Sequence, residues 1–198
     1  MELKTAFGIT ASVIGSACFI PYILDIYKKK TRPHIYTWLI WTILQVTGVV
    51  AMYNSGAGIG ILALATGSVL CAYTCILSIK FGTKNITTFD TFCLIGALIS
   101  IAVYIFLKQP LLSIILISAI DFVGFLPTLR KAYIEPYSET LAMFAFFALS
   151  GTFTMLALHD YSFTTILYPL TLIGINIIAT LVIWMRRRGL PNPSEGRA

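Results

Sequence analysis

Charged residues are scarce in this chain. Only 11% of its 198 residues are charged, against about 25% in an ordinary soluble domain. Hydrophobic residues make up 58%, and the mean hydropathy is +0.87. Too few polar side chains remain to coat a water-soluble globule, so the apolar surface must face lipid. The composition excludes a soluble protein and predicts an integral membrane protein, with the lipid bilayer as a partner.

The residue patterns of catalysis and metal binding are also missing. There is no serine–histidine–acid set, no HExxH motif and no phosphate-binding glycine loop. The four cysteines, Cys18, Cys71, Cys75 and Cys93, lie inside apolar segments without the spacing of a metal site. We therefore expect no enzyme activity, no cofactor and no metal. The net charge of +6 is interpreted as basic loops, and no nucleic-acid partner is expected.

Seven apolar segments are long enough to cross a bilayer, which takes about 20 residues. They run over about Thr5–Tyr27, Ile35–Tyr53, Gly58–Ile79, Phe89–Leu107, Leu111–Ala132, Glu139–Leu158 and Phe163–Trp184. The connections are short, so successive segments should run antiparallel. The predicted fold class is an all-α integral membrane protein with seven transmembrane helices.

Basic residues predict the orientation of these seven segments. Twelve of the 14 Lys and Arg residues fall on one face, and only Lys4 and Lys108 fall on the other. Because basic residues collect in cytoplasmic loops, the N-terminus is predicted outside and the C-terminus in the cytoplasm, in the cell (plasma) membrane. The polar tail, residues 189–198, is expected to be a disordered cytoplasmic segment.

One sequence pattern occurs twice. The copies match at Phe19 and Phe125, Pro21 and Pro127, and Tyr27 and Tyr133, each pair 106 residues apart. The pattern predicts two parallel three-helix repeats, residues 1–82 and 110–188, joined by an inversion linker helix within 83–109 (3+1+3). A proline inside a helix removes a backbone hydrogen bond and kinks it. Pro21 and Pro127 are therefore predicted hinges; the alternative is that prolines are simply common in membrane helices.

This layout, with a proline and then a basic turn in each repeat, resembles the SWEET sugar transporters and the wider PQ-loop family. The signatures run from Phe19-Ile20-Pro21 through Thr31 and from Phe125-Leu126-Pro127 through Tyr133. The glutamine that names the PQ loop is replaced by Tyr22 and Thr128. The resemblance implies the 3+1+3 fold and transport of a sugar-like or other small metabolite. Sugar-transporting members place an asparagine in the third helix of each repeat, which makes Asn176 a candidate for substrate binding.

Asp121 is the strongest single candidate for function. It lies six residues before Pro127 and deeper in the membrane, where a carboxylate is costly and usually faces an internal cavity. It could couple transport to protons, bind a cationic or hydroxyl-rich substrate, or only hold helices together. Its equivalent in the first repeat is Gly15, so its chemistry would be asymmetric.

The remaining candidates for substrate binding lie on three other helices. Trp41 and Gln45 share one face of the second helix; a ring beside an amide suits a sugar, and the alternative is an interfacial tryptophan belt. Thr74 lies on a stripe of small residues in the third helix, whose alternative role is close helix packing. Asn176 on the seventh helix would hydrogen-bond a ligand or another helix.

Together these features predict a transporter of a small polar molecule. It would work by alternating access at a mid-membrane site between the repeats, passively or coupled to protons. The alternative is a ligand-binding receptor or sensor on the same seven-helix scaffold. The expected partner besides lipid is a small-molecule substrate, and assembly into a homo-oligomer is left open.

Overall fold

The computed structural model describes residues 2–29, 33, 35–82, 87–134, 136–138 and 141–190. Seven α-helices follow one another in these ranges: α1 (Glu2–Tyr27), α2 (Ile35–Asn54), α3 (Leu62–Phe81), α4 (Thr88–Phe106), α5 (Pro110–Ile134), α6 (Leu141–Ala157) and α7 (Phe163–Arg188). Short 3-10 helices at Gly58–Ile61 and Pro136–Ser138 precede α3 and α6. The all-helical class is confirmed. The predicted tail lies outside the described residues from Pro191 onward.

Within the described residues, five helices are long and apolar enough to cross a membrane. These segments are Leu3–Leu24, Ile35–Asn54, Gly58–Phe81, Thr88–Phe106 and Phe163–Arg188. Two shorter apolar stretches, Pro110–Leu126 and Leu141–Ala157, lie in α5 and α6. Large apolar side chains cover the outside of the bundle; Phe92 and Phe106 of α4, for example, are 68% and 80% exposed. The chain is therefore an integral membrane protein, while seven spans stay a prediction.

Local signals explain where several helices begin. The Oγ1 of Thr87 accepts a hydrogen bond from the Asp90 N–H at 3.2 Å, and the Asp90 carboxylate accepts one from the Thr87 N–H at 2.8 Å. This capping box opens α4, and α7 opens in the same way. Gly56 and Gly58 adopt φ of 84° and 61°, which glycine tolerates. The chain can therefore turn sharply between α2 and α3.

The helices fall into two groups that meet along a seam. α3 packs against both α1 and α2, and α7 packs against both α5 and α6. Across the seam, α1 contacts α6 and α2 contacts α5, while α4 packs on α2 and α5. The largest buried cluster lies where α2, α5 and α7 meet, and it contains Leu44, Ile117 and Tyr168. The seam is therefore where side chains from both groups converge.

Candidate functional site

A cavity of about 180 Å³ lies along this seam. Six of the seven helices supply its lining, which consists of Gly15, Phe19, Trp38, Trp41, Gln45, Ala63, Leu64, Gly67, Cys71, Asp121, Phe125, Met143, Phe144, Phe147, Ser150, Gly151, Thr154, Pro169, Leu172, Ile175 and Asn176. Four of the five residues predicted to bind substrate are brought together here: Trp41, Gln45, Asp121 and Asn176. The polar candidates from α2, α5 and α7 therefore share one space.

Asp121 brings a carboxyl group to the wall of this cavity. It lies near the middle of α5 and is 4% exposed. The phenol of Tyr168 on α7, which is fully buried, donates a hydrogen bond to its Oδ2 at 3.2 Å. Trp41 on α2 lies beside the same carboxyl group. Three helices thus converge on one carboxyl group, and its neighbours Tyr168 and Trp41 are both uncharged.

An amide and a thiol form the neighbouring part of the wall. The Nε2 of Gln45 donates a hydrogen bond to the Sγ of Cys71 at 3.2 Å. Gly67 faces the same amide, since a Cβ added there would lie 2.9 Å from the Gln45 Oε1. Because Gly67 has no side chain, the Gln45 amide has space beside it. On α7, the Nδ2 of Asn176 donates to the Leu172 carbonyl of its own helix at 2.8 Å.

Aromatic rings make up much of the remaining surface. Six of them line the cavity: Phe19, Trp38, Trp41, Phe125, Phe144 and Phe147. Trp38 meets Trp41 edge-on, with ring centroids 5.2 Å apart, and Phe19 meets Phe147 across the seam at 5.9 Å. Trp38 is only 5% exposed, so an interfacial belt does not describe it. The polar groups therefore sit within mostly apolar walls.

Two of the predicted residues whose side chains the structure describes, Thr74 and Pro21, are not among the residues that line the cavity. Thr74 is fully buried, and its hydroxyl donates to the Leu70 carbonyl at 2.8 Å, which agrees with its alternative role in helix packing. Pro21 lies inside α1 with an exposed side chain. Pro127 falls within the bounds of α5, but its side chain lies outside the described residues. The paired hinge therefore stays a prediction.

Sequence reasoning missed several lining residues. Pro169 of α7, Phe144 of α6 and Cys71 of α3 were not among the residues predicted to bind substrate. The internal repeat carries the signal that would have found them. Phe144 lies 106 residues after Trp38, while Pro169 and Asn176 lie 105 residues after Leu64 and Cys71. The third helices of the two repeats match at an offset of 105 instead of 106, so a search at the single offset of 106 misses Pro169 and Asn176.

The charge in the cavity is unbalanced. Of the described residues that line it, Asp121 alone belongs to the charged types, and no Lys, Arg or His is among them. A search of the described residues finds no group of three or more His, Cys, Asp or Glu side chains suited to a metal ion.

Comparisons with models of known protein families, with curated proteins and with solved structures give no match to this chain.

Proposed function

We propose that the chain is a transporter made of two parallel three-helix units, α1–α3 and α5–α7, with α4 as the inversion linker. The helix contacts support this because they persist when α1, α2 and α3 are exchanged for α5, α6 and α7. The α1–α6 contact becomes the α5–α2 contact, and the α3–α6 contact becomes the α7–α2 contact. Such symmetry is expected of parallel repeats related by an axis along the membrane normal.

The cavity lining supports the same axis. At an offset of 106, Gly15 pairs with Asp121, Phe19 with Phe125, Trp38 with Phe144, Trp41 with Phe147 and Gln45 with Gly151; at 105, Leu64 pairs with Pro169, Gly67 with Leu172 and Cys71 with Asn176. Both members of each pair line the cavity, so equivalent surfaces of the two units reach it. Transporters built from repeats place their substrate site at such an interface.

We infer that all seven helices span the bilayer. At about 1.5 Å per residue, the 25 residues of α5 reach about 37 Å, more than the hydrocarbon core of about 30 Å. The 17 residues of α6 reach about 26 Å, and about 17 residues is the lower end of the range for a spanning helix. Arg186 near the end of α7 donates to the Tyr133 carbonyl near the end of α5 at 2.8 Å. Tyr27 at the end of α1 hydrogen-bonds Tyr73 of α3. These shared ends carry most of the basic residues, which favours a cytoplasmic location for them.

Contacts on the opposite face join the two units directly. The Lys4 Nζ of the first unit donates to the Leu158 carbonyl of the second at 2.7 Å. The N–H of His159 donates to the Ala57 carbonyl at 3.0 Å. Gly60 also meets Leu158, since an added Cβ would lie 2.6 Å from that side chain. These contacts must break for the face to open, so we assign them to a gate.

The observation that carries the proposal is a cavity at the seam of two matched units, with a few polar groups in mostly aromatic walls. Small-molecule sites have this character. The volume of about 180 Å³ is below the range of about 300–1,000 Å³ for ligand pockets, so the solute is small. It binds at the seam and leaves on alternate sides as the units move.

Solute flux in sealed liposomes containing only this protein tests the proposal. A panel of labelled sugars, amino acids, amines and nucleosides is compared with empty liposomes. A disulfide between cysteines placed at Ala57 and His159 should stop the flux of any transported solute, and reduction should restore it. Each single-cysteine variant is the matched control. Flux that continues in the oxidised double variant contradicts the gate, whereas binding of a solute without flux favours the receptor.

A further inference from the structure

The cavity holds a buried carboxyl group without a basic partner among its described lining residues. Its hydrogen-bond donor Tyr168 and its neighbour Trp41 are both uncharged. Isolated charge in a desolvated site is strongly unfavourable, and a buried carboxylate is stabilised by a cation beside it. The charge of the Asp121 carboxylate is therefore neutralised only when the group carries a proton or when a ligand brings a positive charge.

The surrounding surface suits the body of such a ligand. Aromatic faces attract cations through their quadrupoles, and aromatic cages recognise quaternary ammonium groups. A sugar would instead need a partner for each buried hydroxyl, since an unpaired polar group is costly. The polar groups that could serve a sugar are partly used, because Gln45, Ser150 and Asn176 each already donate a hydrogen bond within the protein. The walls therefore favour a cation with an apolar body over a polyol.

We propose that the cavity binds a small organic ammonium ion that has no acidic group, with its nitrogen at the Asp121 carboxylate and its carbon atoms against the aromatic rings. The inference rests on the proposed function, because it names the class of solute for that same cavity. A ligand carboxylate is excluded because no basic residue among the described lining residues would meet it. The cavity volume of about 180 Å³ limits the ligand to a small amine.

The same carboxyl group then links the ammonium ion to protons. Either one neutralises Asp121, but both cannot occupy it together, so each displaces the other. Two further titratable side chains face this group, Cys71 on α3 and Tyr168 on α7. The described lining residues of α1, α2 and α6 supply none. This competition implies an exchange cycle. Asp121 is neutralised by a proton when the site moves in one direction across the membrane and by an ammonium ion when it moves in the other.

Equilibrium binding to the purified protein in lipid nanodiscs tests the assignment with matched probes. Choline and ethanolamine supply quaternary and primary ammonium groups. 3,3-Dimethylbutan-1-ol has the shape of choline without the charge, and glycine betaine adds a carboxylate. At least one ammonium probe should bind, with the uncharged and zwitterionic probes about 10- to 100-fold weaker. Equal binding of choline and its uncharged analogue, or binding of neither ammonium probe, overturns the proposal.

Two substitutions separate the charge from other effects. Asp121→Asn keeps the shape of the side chain and should weaken ammonium binding by about 10- to 100-fold. Asp160→Asn makes the same change on an exposed loop residue outside the cavity lining and should leave binding unchanged. If Asp121→Asn does not fold, the pH dependence of choline binding to the unmodified protein still tests the proposal. Choline should bind more weakly as the pH falls and should release protons on binding, and pH-independent binding without proton release contradicts the proposal.

Flux in the liposome assay distinguishes this inference from the proposed function. Sugar flux that excess choline does not inhibit overturns the ammonium assignment and leaves the transporter proposal standing. Charge-dependent choline binding without any flux leaves the assignment standing and overturns transport. Choline uptake driven by an outward proton gradient supports both.

Discussion

Adding one methyl group at Gly48 should destabilise the seam. A Cβ at this position of α2 would lie 2.8 Å from the Cδ1 of Tyr168 and 3.2 Å from the Cδ1 of Ile117. Both neighbours are fully buried, and Tyr168 is also held by its hydrogen bond to Asp121. The Tyr168 ring cannot move away from the added Cβ without lengthening its hydrogen bond to Asp121. Overpacking of this kind costs about 1–3 kcal/mol. Alanine also gains up to about 1 kcal/mol over glycine inside a helix, so Gly48→Ala should lower the free energy of unfolding by up to about 3 kcal/mol.

Gly124→Ala is the matched control on α5. A Cβ there meets nothing within 4 Å, and alanine favours a helix over glycine by up to about 1 kcal/mol. This variant should be as stable as the unmodified protein or slightly more stable. The two glycines thus predict opposite signs for the same chemical change.

A thiol-reactive fluorescent dye reads both variants in detergent. The four cysteines are free, and none is fully exposed, so the dye reports unfolding. Since about 1 kcal/mol shifts Tm by about 2–4 °C at this chain length, Gly48→Ala should melt about 2–12 °C below Gly124→Ala, in which alanine has the same helix preference without the steric clash. Equal shifts for the two variants, or a Tm for Gly48→Ala above that of Gly124→Ala, would refute the close approach of α2 and α7.

Three further predictions use the same melt or thiol chemistry. Ser118→Ala should raise stability by about 1 kcal/mol, because the buried Ser118 hydroxyl has no partner in the described chain; Ser113→Ala, which removes a 2.8 Å bond to the Ser100 carbonyl, should lower it. Tyr168→Phe should cost about 1–3 kcal/mol because a buried oxygen of Asp121 loses its donor. Tyr161→Phe should change little, because the exposed hydroxyl of Tyr161 and the Met155 carbonyl that it contacts can both bond water instead. In single-cysteine variants, choline should slow mercurial labelling of Cys71 but not of Cys93, and equal protection would contradict the cavity.

Much of the fold could be predicted from the sequence because its signals are local. The second segment was predicted at Ile35–Tyr53, and the helix runs over Ile35–Asn54. Long apolar runs, capping residues and glycine turns act within a few residues of where they stand. The repeat of Phe19 at Phe125 likewise needs no tertiary structure to be seen.

The inward face of each helix was harder to predict. On α3 the sequence offered Thr74, whereas Cys71 and Gly67 line the cavity. In a soluble helix the polar face marks the solvent side, but lipid is as apolar as a protein core, so that contrast is lost in a membrane. Which side of α3 turns inward then depends on its partners α1 and α2, whose positions the sequence of α3 does not contain.

The sequence by itself determined the membrane class, the internal repeat and the bounds of the helices to within four residues, because composition and local propensity act along the chain. Only the tertiary structure decided that Asp121, Tyr168 and Trp41 meet. These residues come from three helices far apart in sequence, and their meeting depends on helix rotation and on a close approach at Gly48. Packing between surfaces controls both of these features, so the partners of the carboxyl group could be known only once the helices were assembled.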